Sequence, residues 1–342
     1  MRFVLSVLIL IISCAALGYY SYVSLERWGA LEIAQSEAQI IELPRGTSLK
    51  NLSDTLFKVG LVDNRSKFRL WTRLFSNYGR FQAGKYRFEG RVSPKHIAAK
   101  IIKGDIFVPV VLEVTIPEGF TLKQVFARLA AKGVAEKSEF EKLASDLSFL
   151  RSLQIEADSL EGYLYPATYQ FSEMPTAQAA IEKMVKTFWV KLPKGYSSEV
   201  KKLGLSLNQA VIFASLIELE TPNDDEKPFV AEVIWRRLKA NTTLGIDAAL
   251  IYGIKDYDGD IRSKDLNDRS NKYNTRIYPG LPPTAIGSPA ISSLRALLVP
   301  SNEGYYYYVV DANNPGRHYF SKTLREHNAR VRELVRKGRK QG

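Results

Sequence analysis

The stretch FASLIELET, Phe213 to Thr221, sets two glutamates, Glu218 and Glu220, at the end of a run that is otherwise apolar or small. Taking a carboxylate out of water is costly unless it is paired, protonated or hydrogen-bonded. A carboxyl group held in a mostly apolar cleft has its pKa raised, so it keeps a proton near neutral pH and can donate it. Cleavage of a glycosidic bond uses such a group to protonate the leaving oxygen. The alternative is a helix-end glutamate paired with Arg236 or Arg237 on the following helix.

The segment around these glutamates reads as a helix over 206–220, with Ser206 as N-cap and Gln209 at the capping-box position. Residues two apart on a helix point to nearly opposite sides, so Glu218 and Glu220 cannot share one site as a close pair. Glu218 lies on the stripe of Leu207, Val211 and Ala214, with Ser215 beside it. Glu220 lies with Gln209, Phe213 and Leu216. Both stripes carry apolar residues, so periodicity does not choose between them. The small Ala214 and Ser215 leave more room for a cleft over Glu218.

Other chemistries find little support. The single cysteine, Cys14, excludes an intramolecular disulfide and a Cys-based metal site. His96, His318 and His327 have no zinc-ligand spacing, so neither a metal nor another cofactor is expected. The 48 Lys and Arg against 36 Asp and Glu give a net charge of +12, which suits anionic lipid, nucleic acid or an anionic wall polymer. No nucleic-acid-binding signature is present, so nucleic acid is not an expected partner. The basic tail RVRELVRKGRK, Arg330 to Lys340, reads as a solvated helix end.

The elements that must position these groups begin with an anchor. Phe3 to Val23 is uncharged and apolar or aromatic, long enough for the roughly 20 residues a bilayer requires. Tyr19, Tyr20, Tyr22 and Trp28 gather at its far end, as aromatics do at membrane interfaces. A lipoprotein site at Cys14 or a cleaved signal is the alternative. The apolar run continues past Cys14, which favours a single-pass anchor with the body outside. Ser24 to Gln39 reads as a helical stalk. Helices follow from Thr47 or Ser48 to Gly60, over 65–76 and over 93–105, with a strand in AGKYRFEG between the last two.

From Ile106 the order of strand, Pro-x-Gly turn and helix recurs. LPRGTSLKNL and IPEGFTLKQV align as one repeated local unit. Further helices are expected around 138–153, 177–190, 206–220, 227–240 and 321–337, with strands at 167–172, 304–310 and 317–320. YPGLPPTAIGSPA, 278–290, must be an ordered loop or groove wall. The fold class is α+β: a transmembrane helix, a small α/β module and a larger mixed catalytic domain.

Six motifs occur in order: LEGYLYPATYQF (160–171), ASLIELET (214–221), GIDAALIYG (245–253), YNT (273–275), GLPPTAI (280–286) and HYFSKTLREHN (318–328). Together they resemble the YceG-like endolytic murein transglycosylases, membrane-anchored bacterial enzymes that cut peptidoglycan glycan strands. The resemblance implies an anchor at 1–25, a stalk at 26–39, a LysM-like module at 40–105, a catalytic domain at 106–332 and a basic tail at 333–342. It implies a single pass through the cytoplasmic membrane and an extracytoplasmic catalytic domain. Peptidoglycan synthases are possible partners on this basis. It makes Glu218, at the first acidic position of the Ala-Ser-x-[IV]-E-x-E-T motif, the catalytic residue. The chain departs from the family pattern at Ala167, Ile246, Ala248, Arg276, Thr284 and 288–290, none of which removes Glu218.

The implied reaction is non-hydrolytic cleavage between N-acetylmuramic acid and N-acetylglucosamine, leaving a 1,6-anhydro end. One carboxylate serves as acid and then as base. Candidate substrate-binding residues are Glu161, Tyr163, Tyr165, Ser215, Asp247, Tyr273 and Asn274. Several have a structural alternative: a turn for Glu161, core packing for Tyr163 and Tyr165, which alternate with Tyr169 as on a strand, and a helix cap for Asp247. Asn274 could hold an acetamido group. His318 and Asn328 look like ties between the last strand and the last helix. LysM-like modules bind N-acetylglucosamine chains, so 40–105 either feeds the cleft or sets its height above the membrane. The competing functions are a muramidase-type hydrolase and a non-catalytic wall-binding scaffold.

Overall fold

A computed structural model describes residues 2–341 and the side chains of 4–337. Met1, Gly342 and the last basic side chains of the expected tail lie outside the described residues. The chain falls into two compact units, the first ending at Pro109 and the second starting at Val110.

In the first unit, α1 (Arg2–Gly29) is followed by β1 (Ile33–Leu43), α2 (Leu49–Lys58), α3 (Arg65–Phe75), β2 (Gly84–Val92) and α4 (Pro94–Lys103). β1 and β2 pair antiparallel from Ile33 opposite Val92 to Leu43 opposite Gly84. Local signals set the helix starts: Ser48, Asn64 and Ser93 each accept a backbone N–H of the first turn. Leu52, Leu56, Phe68, Tyr86, Phe88, Ile97 and Ile101 form the core.

Two expectations are corrected here. The stalk expected as a helix over 24–39 is helical only to Gly29, as the end of α1, and residues 33–43 are a strand. β2, some fifty residues away, pairs with Ile33 to Gln35 and with Gln39 to Leu43, with a register shift between Gln35 and Gln39, and Ile41 and Leu43 turn into the core. Trp28 is not an interface aromatic. It is 7% exposed, packed in this core, with its indole N–H donated to Asp63 Oδ1 at 3.0 Å. Val4–Gly29 is the one helix among the described residues long and apolar enough to cross a membrane.

The second unit runs β3 (Leu112–Ile116), α5 (Leu122–Ala131), α6 (Lys137–Ala144), α7 (Leu147–Ser152), β4 (Ala167–Phe171), α8 (Ala177–Lys191), α9 (Tyr196–Lys202), α10 (Leu207–Glu220), α11 (Lys227–Lys239), α12 (Asp247–Tyr252), α13 (Ser263–Leu266), α14 (Ile291–Leu298), β5 (Tyr307–Val310), β6 (His318–Ser321) and α15 (Leu324–Gln341). β3 pairs antiparallel with β4, and β5 with β6. The helix expected over 138–153 is two, because Asp146 stops one and caps the next, accepting from Ser148 and Phe149 N–H groups. The strands expected from 106 and 304 start later, at Leu112 and Tyr307. The repeated unit is visible in the backbone: Gly46 and Gly119 both adopt positive φ just before α2 and α5.

α10 is the centre of this unit. Its residues from Ala210 to Glu218 are all buried, as befits a helix apolar on every side. It is flanked by α9, α11, α12 and α14. The turn of Pro and Gly residues at 278–290 runs along it as an ordered segment, pinned where Ile286 N–H donates to Ser215 Oγ at 3.1 Å.

Candidate active site

The capping box expected at Ser206 is present. Ser206 Oγ accepts from Gln209 N at 3.1 Å, and Gln209 Oε1 accepts from Ser206 N at 2.8 Å. It fixes the phase of α10, and three turns later that phase delivers Glu218 beside the N-terminus of α14.

Glu218 is 8% exposed. Its Oε2 accepts the Ala290 N–H at 2.8 Å and the Ser293 hydroxyl at 2.6 Å. Lys227 Nζ lies 3.3 Å from Oε1 and 3.4 Å from Oε2. Lys227 is 1% exposed, and its ammonium also reaches Asp224 at 2.9 Å and Ser292 Oγ at 2.8 Å. The apolar cleft expected over Glu218 is therefore a ring of donors. The reason is tertiary: α11 and α14 each bring their first turn to the end of α10.

Glu220 faces elsewhere. Half-buried, it is hydrogen-bonded to Tyr308, with His318, Asp247 and Arg237 nearby; burial pushes its carboxyl up and the Tyr308 contact opposes that. The two glutamates thus occupy separate surroundings. The partner of Glu218 is Lys227, while Arg236 pairs with Glu232 at 2.9 Å.

Of the other candidates, only Tyr165 reaches the surroundings of Glu218. Its hydroxyl is hydrogen-bonded to the Ile291 backbone, and its pKa is raised by burial and then by Glu118 and Glu218. Tyr163 is core: 1% exposed, edge-on to Phe188, its hydroxyl donating to Asn208. Neither sits on a strand, since β4 begins at Ala167. Ser215 is fully buried, donating to Ile212 O and accepting from Ile286 N, so it ties the 278–290 segment to α10 and is not open to a ligand.

Glu161 is 2% exposed and takes the N-terminal amide of α5, with Leu122 N at 3.0 and 3.1 Å from its two oxygens and Tyr252 OH at 2.7 Å. Burial pushes its pKa up to about 7, against the pull of those hydrogen bonds. It borders an open cleft of about 520 Å³ together with Arg151, Asn208 and Thr284. Tyr273 leans on Tyr252 and shares a hydrogen bond with Thr284.

Asn274 does not present its amide to a ligand. It is fully buried, donating to the carbonyls of Asp265, Leu266 and Asp268 and so closing the loop before it. Asp247 heads α12 without capping it and pairs with Arg276, at 2.9 Å to Nε and 2.5 Å to Nη2. His318 ties β6 to Glu226 at the head of α11, through its backbone N–H at 2.9 Å and its ring at 3.0 Å. That is a different partner from the expected last helix.

Lys227, Asp224, Ser292, Ser293 and Glu118 were not picked out from the sequence. One signal was there: Lys227 opens a helix, where the macrodipole disfavours a cation unless a carboxylate offsets it.

The model of the YceG-like family matches residues 41–333 of this chain. The chain belongs to the YceG-like family. An endolytic murein transglycosylase of Bacillus subtilis (strain 168) is 29% identical over 302 residues, covering 84% of this chain and 82% of that protein. One of Streptococcus pneumoniae (D39) is 26% identical over 361 residues, covering 97% of this chain and 65% of the relative. A crystal structure of a yceG-like protein from Listeria monocytogenes superposes with a TM-score of 0.58 at 29% identity, covering 86% of this chain and 99% of that one. Two departures of this YceG-like chain now have a structural account. Arg276 is the partner of Asp247, and Ser288-Pro289-Ala290 reaches Glu218 through the Ala290 backbone, which asks nothing of the side chain.

Proposed function

We propose that this chain is an endolytic murein lytic transglycosylase that cuts the bond between N-acetylmuramic acid and N-acetylglucosamine and leaves a 1,6-anhydro end. Family membership and the names of the Bacillus and Streptococcus relatives support the class of reaction. The observation that carries the assignment to Glu218 is its setting: a buried carboxylate with Oε2 taken up by Ala290 and Ser293, and with Oε1 accepting from Lys227 alone among the described residues. Oε1 is thereby left to exchange a proton with substrate while the rest of the group stays fixed.

The reaction needs one proton delivered to the bridging oxygen and one removed from the muramic C6 hydroxyl, whose oxygen closes on C1. No enzyme nucleophile is required, and the substrate's own acetamido group can steady C1, so Glu218 alone can serve both transfers in turn. Tyr165, whose hydroxyl feels the charge of Glu218, is the candidate tyrosine for contact with the sugar there. On this reading the anchor (1–25) holds the protein in the bacterial cytoplasmic membrane with the catalytic domain (106–332) outside. The LysM-like module (40–105) handles glycan, and cutting nascent strands near synthases ends their elongation.

The experiment is mass spectrometry of products from purified glycan strands, with the detergent-solubilised full chain beside Glu218→Gln. Tyr22 packs against Phe75 and Trp28 sits in the core of the first unit, so a version cut at residue 28 would strip packing. Anhydro-ended products from the parent alone are expected. Reducing ends would make the protein a muramidase-type hydrolase, and absence of cleavage would leave the scaffold.

A further inference from the structure

The ammonium of Lys227 has three protons to donate, and more oxygens than that surround it. Asp224 Oδ1 lies at 2.9 Å and Ser292 Oγ at 2.8 Å, while the two oxygens of Glu218 lie at 3.3 and 3.4 Å. A full-strength bond from an ammonium to a carboxylate measures about 2.7–2.9 Å. Two protons are therefore directed to Asp224 and Ser292, and the third is spread over both oxygens of Glu218. The first two acceptors are also joined to each other, since Ser292 hydrogen-bonds Asp224. The bonds from Lys227 and then Ser292 hold the Asp224 carboxyl below the usual carboxylate range.

This sharing bears on the first proton transfer. Glu218 must carry a proton in order to give one, and a close cation favours the ionised form of a carboxyl group. Its Oε2 already accepts the Ala290 amide and the Ser293 hydroxyl, and hydrogen bonds of that kind favour ionisation too. An ammonium bonded to Glu218 at full strength would favour a carboxylate with no proton to give. Asp224 stands where it can prevent that. It lies in the loop from α10 to α11, and its side chain is 74% exposed while that of Lys227 is 1% exposed. An anion on the solvent side of a buried ammonium draws that ammonium outward. The loop itself is fixed by other contacts: Glu226 accepts from Thr221 Oγ1 at 2.8 Å and from His318 N at 2.9 Å, and Asn223 Nδ2 donates to Gly316 O at 2.7 Å. Asp224 is thus a firm point for Lys227 to lean on.

We propose that Asp224, with Ser292, is a positioning residue that holds the Lys227 ammonium back from Glu218, so that Glu218 can carry the proton of the first transfer. This rests on the reaction assigned to Glu218 above and keeps both transfers on that one group. Protonated Glu218 gives its proton to the bridging oxygen as the C1–O bond breaks. The carboxylate so formed takes the proton of the C6 hydroxyl as the O6–C1 bond forms, which returns Glu218 to its starting state. Lys227, 3.3 Å away, steadies the carboxylate between the two transfers. Asp224 and Ser292 exchange no proton with substrate and act through Lys227.

The test is the pH profile of kcat/KM on purified glycan strands, for the full-length parent beside Asp224→Asn, Asp224→Glu, Ser292→Ala and Asp225→Asn. That profile reports ionisation in the free protein, and its alkaline limb follows loss of the proton that Glu218 donates. Asp224→Asn releases the ammonium onto Glu218, so the alkaline limb should move to lower pH by about one unit. The loss on that limb is about tenfold, while the rate at low pH and the melting temperature stay near those of the parent. Ser292→Ala should move the limb the same way by less, and Asp224→Glu should restore much of the parent profile. Asp225→Asn removes the same charge one residue along, from an exposed carboxylate paired with Arg317 at 2.7 Å, and should leave the limb in place. The other ionisable groups around the site are Glu118 from the turn before α5, Tyr165, and Arg295 on α14. Asp247 on α12 acts on Glu220, and Tyr196 on α9 donates to Leu294 O. An unmoved limb in Asp224→Asn, an equal loss at every pH, or the same shift in Asp225→Asn would overturn the proposal and leave the role of Glu218 standing. A parent without cleavage at any pH would overturn both.

Discussion

Lys227 and Glu218 form a buried ion pair, Nζ to Oε1 3.3 Å, with side chains 1% and 4% exposed, where the tail of α10 meets the head of α11. A buried pair of this kind adds little net stability over an apolar pair, but removing one partner strands the other. Lys227→Met is expected to destabilise the second unit by about 3 kcal/mol and to abolish cleavage. Lys227→Arg keeps the charge in a larger group and should hold most of the stability. Thermal melts beside product assays check both; a Met variant that melts and cleaves like the parent would remove Lys227 from the site.

Glu161 makes stability depend on pH in a defined direction. Its folded pKa of about 7 lies above the 4.5 of a free glutamate, so the folded chain holds this proton more tightly than the unfolded one. The stabilisation is complete below the unfolded pKa and is lost as pH rises through about 7, amounting to about 3 kcal/mol at the upper end. Glu161→Gln should therefore gain stability relative to the parent at pH 8 and gain none at pH 4. Urea melts across that range would show the parent's slope flattening in the variant.

Gly287 has no room for a side chain, since a Cβ there would collide with the Gly119 carbonyl oxygen. Gly287→Ala should cost about 1–3 kcal/mol, in the range of overpacking. The displaced partner is the Gly119 turn, hydrogen-bonded to Ser288 in the segment whose Ala290 N–H holds Glu218, so cleavage should fall further than stability alone explains. Activity measured well below the melting temperature separates the two effects.

Asn274 and Arg276 should respond differently although they are two residues apart. Asn274→Ala removes a buried donor from the carbonyls of 265, 266 and 268 and should cost about 1–3 kcal/mol while leaving KM unchanged. Arg276→Tyr breaks an exposed pair with Asp247 and should shift stability by less than about 1 kcal/mol. A raised KM in Asn274→Ala with an unchanged melt would restore the amide as a ligand-binding group.

The helices were legible because their signals are local. Ser48, Ser93, Thr121, Thr176 and Ser206 all sit at N-caps and bond within three residues of themselves. α10 and its opposed glutamates could be drawn from the capping box and the apolar run alone. What surrounds Glu218 could not, because Ala290 and Ser293 stand 72 and 75 residues away in sequence, and α14 follows a segment with no helical period to announce it. The first part of β1, 33–39, was misread for the same reason: it is a strand only because β2 pairs with it. Asn274 and Ser215 looked available to substrate because their hydrogen-bond partners, from 265 to 286, become neighbours only when the chain closes. The sequence by itself determined that one buried helix carries two carboxylates on opposite sides. Only the tertiary structure decided that Glu218 meets an ammonium, an amide and a hydroxyl, because those donors come from helix starts that long-range packing alone brings together.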